Sequence, residues 1–134
     1  MQSIATAPLG RLTRRPEFLR VARGRRKAVA PGLVLQAAPC PSEIQGPAPR
    51  IGFTASKKVG NAVARNRARR RLRAVVNDVI GARGGEAMDY VVIARAATLE
   101  RGYDDLLDDL RATLAKVHRD TGERRGEKRG ERAR

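Results

Sequence analysis

An α+β fold is predicted, an α/β sandwich in the order α-β-β-β-α-β-α around a mixed four-stranded sheet. Three observations predict it. A strand pattern, a long amphipathic helix and a second strand follow one another between residues 50 and 94. A hairpin signal precedes them, and an apolar-striped helix closes the pattern. The chain has 134 residues, 41% of them hydrophobic, which suffices for one modest core and one domain. Aromatics are only 3%, so that core must be built from Val, Leu, Ile and Ala.

Each element has its own signal. Pro16 opens the first helix, since proline suits the first helical turn. Phe18, Leu19 and Val21 or Ala22 give it an apolar stripe, and Gly24 ends it. Lys27–Val29 and Leu33–Ala38 read as two strands turned through Pro31-Gly32. The stretch from Ala38 to Pro49 holds four prolines and a glycine, so it is a loop, with Cys40 in it as a bystander thiol. Arg50–Ser56 alternates, Ile51, Phe53 and Ala55 on one face, Arg50, Gly52, Thr54 and Ser56 on the other. Asn61 caps a long helix that runs to about Ile80 and stops at Gly81. Asp89–Ala94 is nearly continuous apolar sequence, as in a strand buried on both faces. In Tyr103–His118, Leu106, Leu110, Leu114 and Val117 line one face, while Asp104, Asp105, Asp108 and Asp109 complement the dipole at its start. Residues 1–118 are thus one domain, with 1–12 flexible. Residues 119–134 repeat Gly-Glu-basic units without a large apolar residue and read as a disordered charged tail.

Charge narrows the function. The chain carries a net +15. Residues 1–76 hold 17 Lys and Arg against Glu17 and Glu43 alone, while residues 77–134 balance 12 bases with 12 acids. A merely solubilising charge has no reason to leave one half neutral, so the basic part points to a polyanion, most simply nucleic acid. Arginine supplies 24 of the 29 bases, and its planar fork suits phosphate contact and base stacking. No run reaches the ~18–20 apolar residues of a membrane span, and residues 1–15 lack an apolar core of signal-peptide length. A lone cysteine excludes an internal disulfide framework and fits a reducing, cytoplasmic compartment.

The charge is densest in Ser56–Arg73, which has eight basic residues and no acid. At roughly 100° per residue, Ala64, Ala68, Leu72, Val75, Val76 and Val79 share one arc. Arg65, Arg69 and Arg73 edge it, Asn66 and Arg70 follow, and Arg67 and Arg71 lie further round. Such unpaired like charges destabilise a helix until a polyanion meets them. Gly60 lets the chain turn before the helix, and Lys57 and Lys58 flank the approach to its first amides.

This stretch resembles the protein component of bacterial ribonuclease P. The motif is Arg50-x-Gly52, then Ser56-Lys57-Lys58-x-Gly60-Asn61-Ala62-Val63-x-Arg65-Asn66-Arg67, then Arg69, Arg70 and Arg73. The likeness extends over roughly Leu12 to His118. It implies an α/β sandwich with a left-handed β-α-β crossover at the arginine helix, and a 1:1 complex with a large catalytic RNA, ribonuclease P RNA. The two together remove the 5′ leader of precursor tRNA, and the RNA performs the hydrolysis with bound Mg²⁺. Carried onto this sequence, the resemblance assigns Lys57, Lys58, Arg65, Asn66, Arg67, Arg69, Arg70 and Arg73 to the catalytic RNA. Phe18, Phe53 and Arg50 are assigned to the leader, in a cleft between the first helix and the sheet. Two positions depart from the family pattern, Ala22 and Gln36, where aromatics are frequent.

No set of catalytic side chains emerges from the residues themselves. Protein ribonuclease chemistry needs an acid–base pair or metal-binding carboxylates. The only histidine, His118, ends a helix away from the basic surface, and the acids cluster in the neutral half. The alternative reading is a structural RNA-binding protein of ribosomal type with no role in tRNA cleavage. A stand-alone nuclease and a membrane-surface helix are weaker, the latter because alanine and valine make a poor inserting face.

Overall fold

Alternation along the strands sends one set of side chains to each face of a central sheet. In this computed structural model residues 9–24, 26–42, 49–81 and 87–133 are described, with side chains to Arg119. The strands are β1 (Gly10–Arg11), β2 (Arg26–Val29), β3 (Leu33–Pro39), β4 (Arg50–Thr54) and β5 (Met88–Ala94). The helices are α1 (Arg15–Arg23), α2 (Ala62–Val79) and α3 (Tyr103–Ala133), with a 3₁₀ turn at Ala96–Leu99. The strands form one mixed sheet in the order β1-β4-β5-β3-β2. β2, β3 and β5 pair antiparallel, while β5, β4 and β1 pair parallel.

Two layers cover the sheet. Leu33, Leu35, Ile51, Tyr90 and Val92 face α2 and α3, whose Ala68, Leu72, Val75, Leu106, Leu110 and Leu114 complete the main core. Val91 and Ala38 face the other way and meet Val21 of α1, with Phe18 and Ile93 packed beside them. Each fully buried aliphatic side chain contributes about 1.5–3 kcal/mol. β5 lies between β4 and β3 with helices on both faces, which is why its sequence is apolar almost throughout.

Several boundaries differ from the sequence reading. The sheet has five strands among the described residues, not four. The added strand is β1, whose Gly10 and Arg11 pair with Arg50 and Ile51. The Leu12 N–H continues that pairing by donating to the Ile51 carbonyl at 3.0 Å, and Leu12 is buried. The part of the expected flexible segment at residues 9–12 is therefore held by the sheet. Residues 1–8 lie outside the described residues, as do 43–48 of the proline loop. The α3 backbone stays helical to Ala133, beyond the end expected at His118. Residues 119–133 contain no proline, and Glu, Lys and Arg are good helix formers.

Candidate nucleic-acid interface

α2 begins where a turn hands it an N-terminus already capped. The Val59 and Gly60 amides close the Ser56–Gly60 turn by donating to the Ser56 and Lys57 carbonyls. Gly60 sits at φ +148°, a conformation L side chains rarely adopt, and a Cβ there would stand 2.8 Å from that of Ala64. The Asn61 side chain then accepts from the Ala64 N–H at 2.9 Å, the capping role the sequence assigned to it. The buried arc is Ala68, Leu72, Val75 and Val76, within the arc the periodicity marked. Most of the charge on the remaining surface is basic, Asp78 near the helix end being the one acid of α2.

Those basic residues have unequal fates. Arg67, Arg70 and Arg73 are exposed, as are Lys57, Lys58 and Asn66. Arg65 is half-buried and donates to the Gly60 carbonyl at 3.3 Å. Arg69 donates to Asn66 Oδ1 at 2.9 Å, so Asn66 steadies an arginine while its own amide N–H groups remain available to donate. Arg73 lies over the Phe53 ring, 5.4 Å from its centroid, within cation–π range. Arg71 is different. It donates to the carbonyls of Thr98, Leu99 and Arg101 at 2.8, 2.9 and 2.5 Å, pinning the 3₁₀ turn to α2. Among the described residues, none of the ion pairs involves an α2 arginine. A shallow depression lined by Val63, Asn66, Arg69, Arg70 and Arg73 joins the stripe.

A larger cleft, of about 900 Å³, wraps the β1 edge of the sheet between α1 and α2. Phe18 and Phe53 both line it, together with Arg69 and Arg73. The two rings belong to opposite faces of the sheet. Phe53 points with Ile51 toward α2, while Phe18 lies against Gly52, where a Cβ would stand 2.5 Å from the ring. The glycine of the Arg50-x-Gly52 motif is thus the space Phe18 occupies.

Arg50 departs from its expected place at the leader. Its residue is only 8% exposed, and its guanidinium is consumed by acids. Nε and Nη2 donate to the two oxygens of Asp89 at 2.8 and 2.7 Å, and Nη1 to Glu17 at 2.9 Å. Asp89, fully buried, also accepts from Arg20 and from the Cys40 thiol. Hydrogen bonding to Asp89 outweighs burial and keeps Arg50 charged. Burial by itself pushes Glu17 up, but the N–H groups of Arg14 and Thr13 together with Arg50 hold it below its ordinary value. Burial first, then Asp89, raises the Cys40 thiol above its ordinary value, which disfavours the nucleophilic thiolate. Asp109 is employed as well. It takes Arg101 through two hydrogen bonds of 2.8 and 2.9 Å and the Gly32 N–H at 3.0 Å, so it is a tie between α3 and the hairpin turn and not a dipole partner. His118 Nε2 lies 2.8 Å from the Tyr90 hydroxyl, on the main-core side of the sheet.

Comparison with known proteins matches this geometry to one family. The ribonuclease P family profile matches residues 8–118. The ribonuclease P protein component of Paramagnetospirillum magneticum is 57% identical over 112 residues, 83% of this chain and 84% of that one. That of Ruegeria pomeroyi is 45% identical over 115 residues, 85% and 90% of the two chains. The Staphylococcus aureus ribonuclease P protein structure superposes with a TM-score of 0.65 at 27% identity, covering 82% of this chain and 98% of that one. The Thermotoga maritima protein shares the fold, with a TM-score of 0.61 at 20% identity, covering 78% and 94%. With its arginine helix, its Arg50-x-Gly52 strand and a profile match over most of its length, the chain belongs to the ribonuclease P protein family.

Proposed function

We propose that the α2 surface binds the ribonuclease P RNA and that the cleft beside Phe18 receives the 5′ leader of precursor tRNA. As a member of its family the chain serves as the protein subunit of ribonuclease P, an endoribonuclease made of protein and RNA. One observation carries the assignment of the surface: among the described residues no acid neutralises any α2 arginine. The repulsion among those charges is relieved by phosphates. Lys57, Lys58, Arg65, Asn66, Arg67, Arg69, Arg70 and Arg73 form the RNA surface, with Lys57 and Lys58 beside the exposed amides at the start of α2.

Phe18 contacts the leader from the α1 side. Base–aromatic stacking contributes about 1–3 kcal/mol per base, and here Phe18 and Phe53 must do what Ala22 and Gln36 do not share. Arg50 is left out of the leader surface because Asp89 and Glu17 hold it. The RNA supplies the Mg²⁺-dependent hydrolysis, and the protein binds and positions. A 1:1 complex, a cytoplasmic location and a left-handed β4–α2–β5 crossover belong to the same reading.

The first test is precursor-tRNA cleavage at low Mg²⁺ with RNA alone, protein alone and both. Cleavage only with both is expected, and cleavage by protein alone refutes the division of labour. The second is Arg65→Ala with Arg69→Ala. Affinity for the RNA should fall, and the slope of log K against log salt should flatten by about 0.7–0.9 per lost phosphate contact. An unchanged slope in a folded double variant removes these residues from the interface.

A further inference from the structure

The cleft of about 900 Å³ contains one residue that a surface built only for phosphate has no use for. Arg11, Arg69 and Arg73 line it, and so does Asp78, the sole acid among its described lining residues. A carboxylate among these cations repels a phosphate backbone and weakens binding unless it accepts a hydrogen bond from the ligand. Asp78 is also held in place, since Tyr103 at the start of α3 donates its hydroxyl to Oδ2. Burial and the neighbouring carboxylate push that phenol up to about 12, so it remains a donor at any physiological pH. Oδ1 is left to accept, and Oδ2 keeps a second lone pair beside the one the phenol takes. Asn77, the residue before it, brings an amide to the same cleft, and Phe53 brings an aromatic ring with Arg73 against it.

We propose that the α2 side of the cleft, formed by Phe53, Arg73, Asn77 and Asp78, is a pocket for a single unpaired guanine of RNA. Of the four bases, guanine alone presents two adjacent N–H donors, N1–H and the 2-amino group, to one carboxylate. Stacking on the Arg73 plane, which Phe53 backs from beneath, holds the base, and Arg69 takes an adjoining phosphate. The volume lies within the range of small-ligand sites. This proposal rests on the RNA-binding reading above and adds base selectivity to it.

The test uses three single-stranded RNA pentamers, UUGUU, UUIUU (hypoxanthine at the centre) and UUAUU, with Kd measured by fluorescence anisotropy at one salt concentration. The intact chain should bind UUGUU about tenfold more tightly than either of the others, the discrimination expected of one well-made base-edge contact. In Asp78→Asn that preference should vanish. Tyr103→Phe, which keeps the carboxylate but frees it, should reduce the preference. A carboxylate that serves only to tie α2 to α3 predicts lower thermal stability in both variants and an unchanged ratio between pentamers. Equal binding of all three pentamers, undetectable binding of UUGUU, or a preference that survives Asp78→Asn overturns the pocket. Binding of full-length ribonuclease P RNA is measured alongside. If that binding is intact the pocket alone has failed, and if it is absent the parent reading has failed.

Discussion

Asp89 shows how one residue holds two layers together. Its fully buried carboxylate faces the Arg50 fork and also accepts from Arg20 of α1. The ion pair fastens α1 to the sheet and so supports the ring of Phe18. Removing one partner from a buried pair strands the other, at a cost of about 3–5 kcal/mol. Asp89→Asn should lower stability by that order in urea denaturation. It should also weaken leader-dependent substrate binding more than binding of the catalytic RNA, because α1 moves and α2 does not. Equal loss at both surfaces would show that Asp89 supports the whole fold and not α1 in particular. None of this was legible in the sequence. Arg50 belongs to the Arg50-x-Gly52 motif, and the resemblance assigned it to the leader. Its partner lies 39 positions away, and no local pattern announces a pair formed across neighbouring strands.

α2 divides its arginines between two tasks. Arg70 is exposed, whereas Arg71, one residue on, serves three backbone carbonyls of the segment Thr98–Arg101. Hydrogen bonds from a charged donor are worth more than neutral ones. Arg71→Ala should therefore cost about 2 kcal/mol of stability and leave the salt slope of RNA binding nearly unchanged. Arg70→Ala should leave the melting temperature nearly unchanged and flatten that slope by about one phosphate contact. Thermal unfolding and a salt titration on the two variants separate the roles. The 3.6-residue period made the buried arc of α2 legible, because Ala68, Leu72, Val75 and Val76 recur on one side whatever they pack against. The same period sets Arg70 opposite the buried arc and Arg71 about 100° further round, at the arc's other edge, but it cannot name the carbonyls Arg71 meets, since those belong to a turn that follows β5. The hairpin, β4, β5 and the cap at Asn61 were legible for the same local reason. β1 was not, because two residues carry no period.

At the scale of the whole molecule, the sheet binds the chain's first described strand to partners far along the sequence. Gly10 and Arg11 pair with Arg50 and Ile51, which in turn pair with Asp89 and Tyr90. β1 has neighbours on one side only and two residues of pairing, so it opens at low cost. Amide exchange at Gly10 and Leu12 should be much faster than at Val92 in the middle of the sheet. Comparable protection would mean that the edge opens only when the whole domain does.

That placement also orders events during synthesis. A chain leaves the ribosome from its first residue, at about 5–20 residues per second. Residues 10–12 therefore emerge before their partners and have nothing to pair with. Their strand partner arrives some 40 residues later, and the strand that anchors that partner arrives later again. Until residue 89 is out, Arg50 has no buried carboxylate to meet. The piece of chain that walls the cleft is made before its partners and docks after them, so a nascent chain presents its arginines before it presents a finished groove.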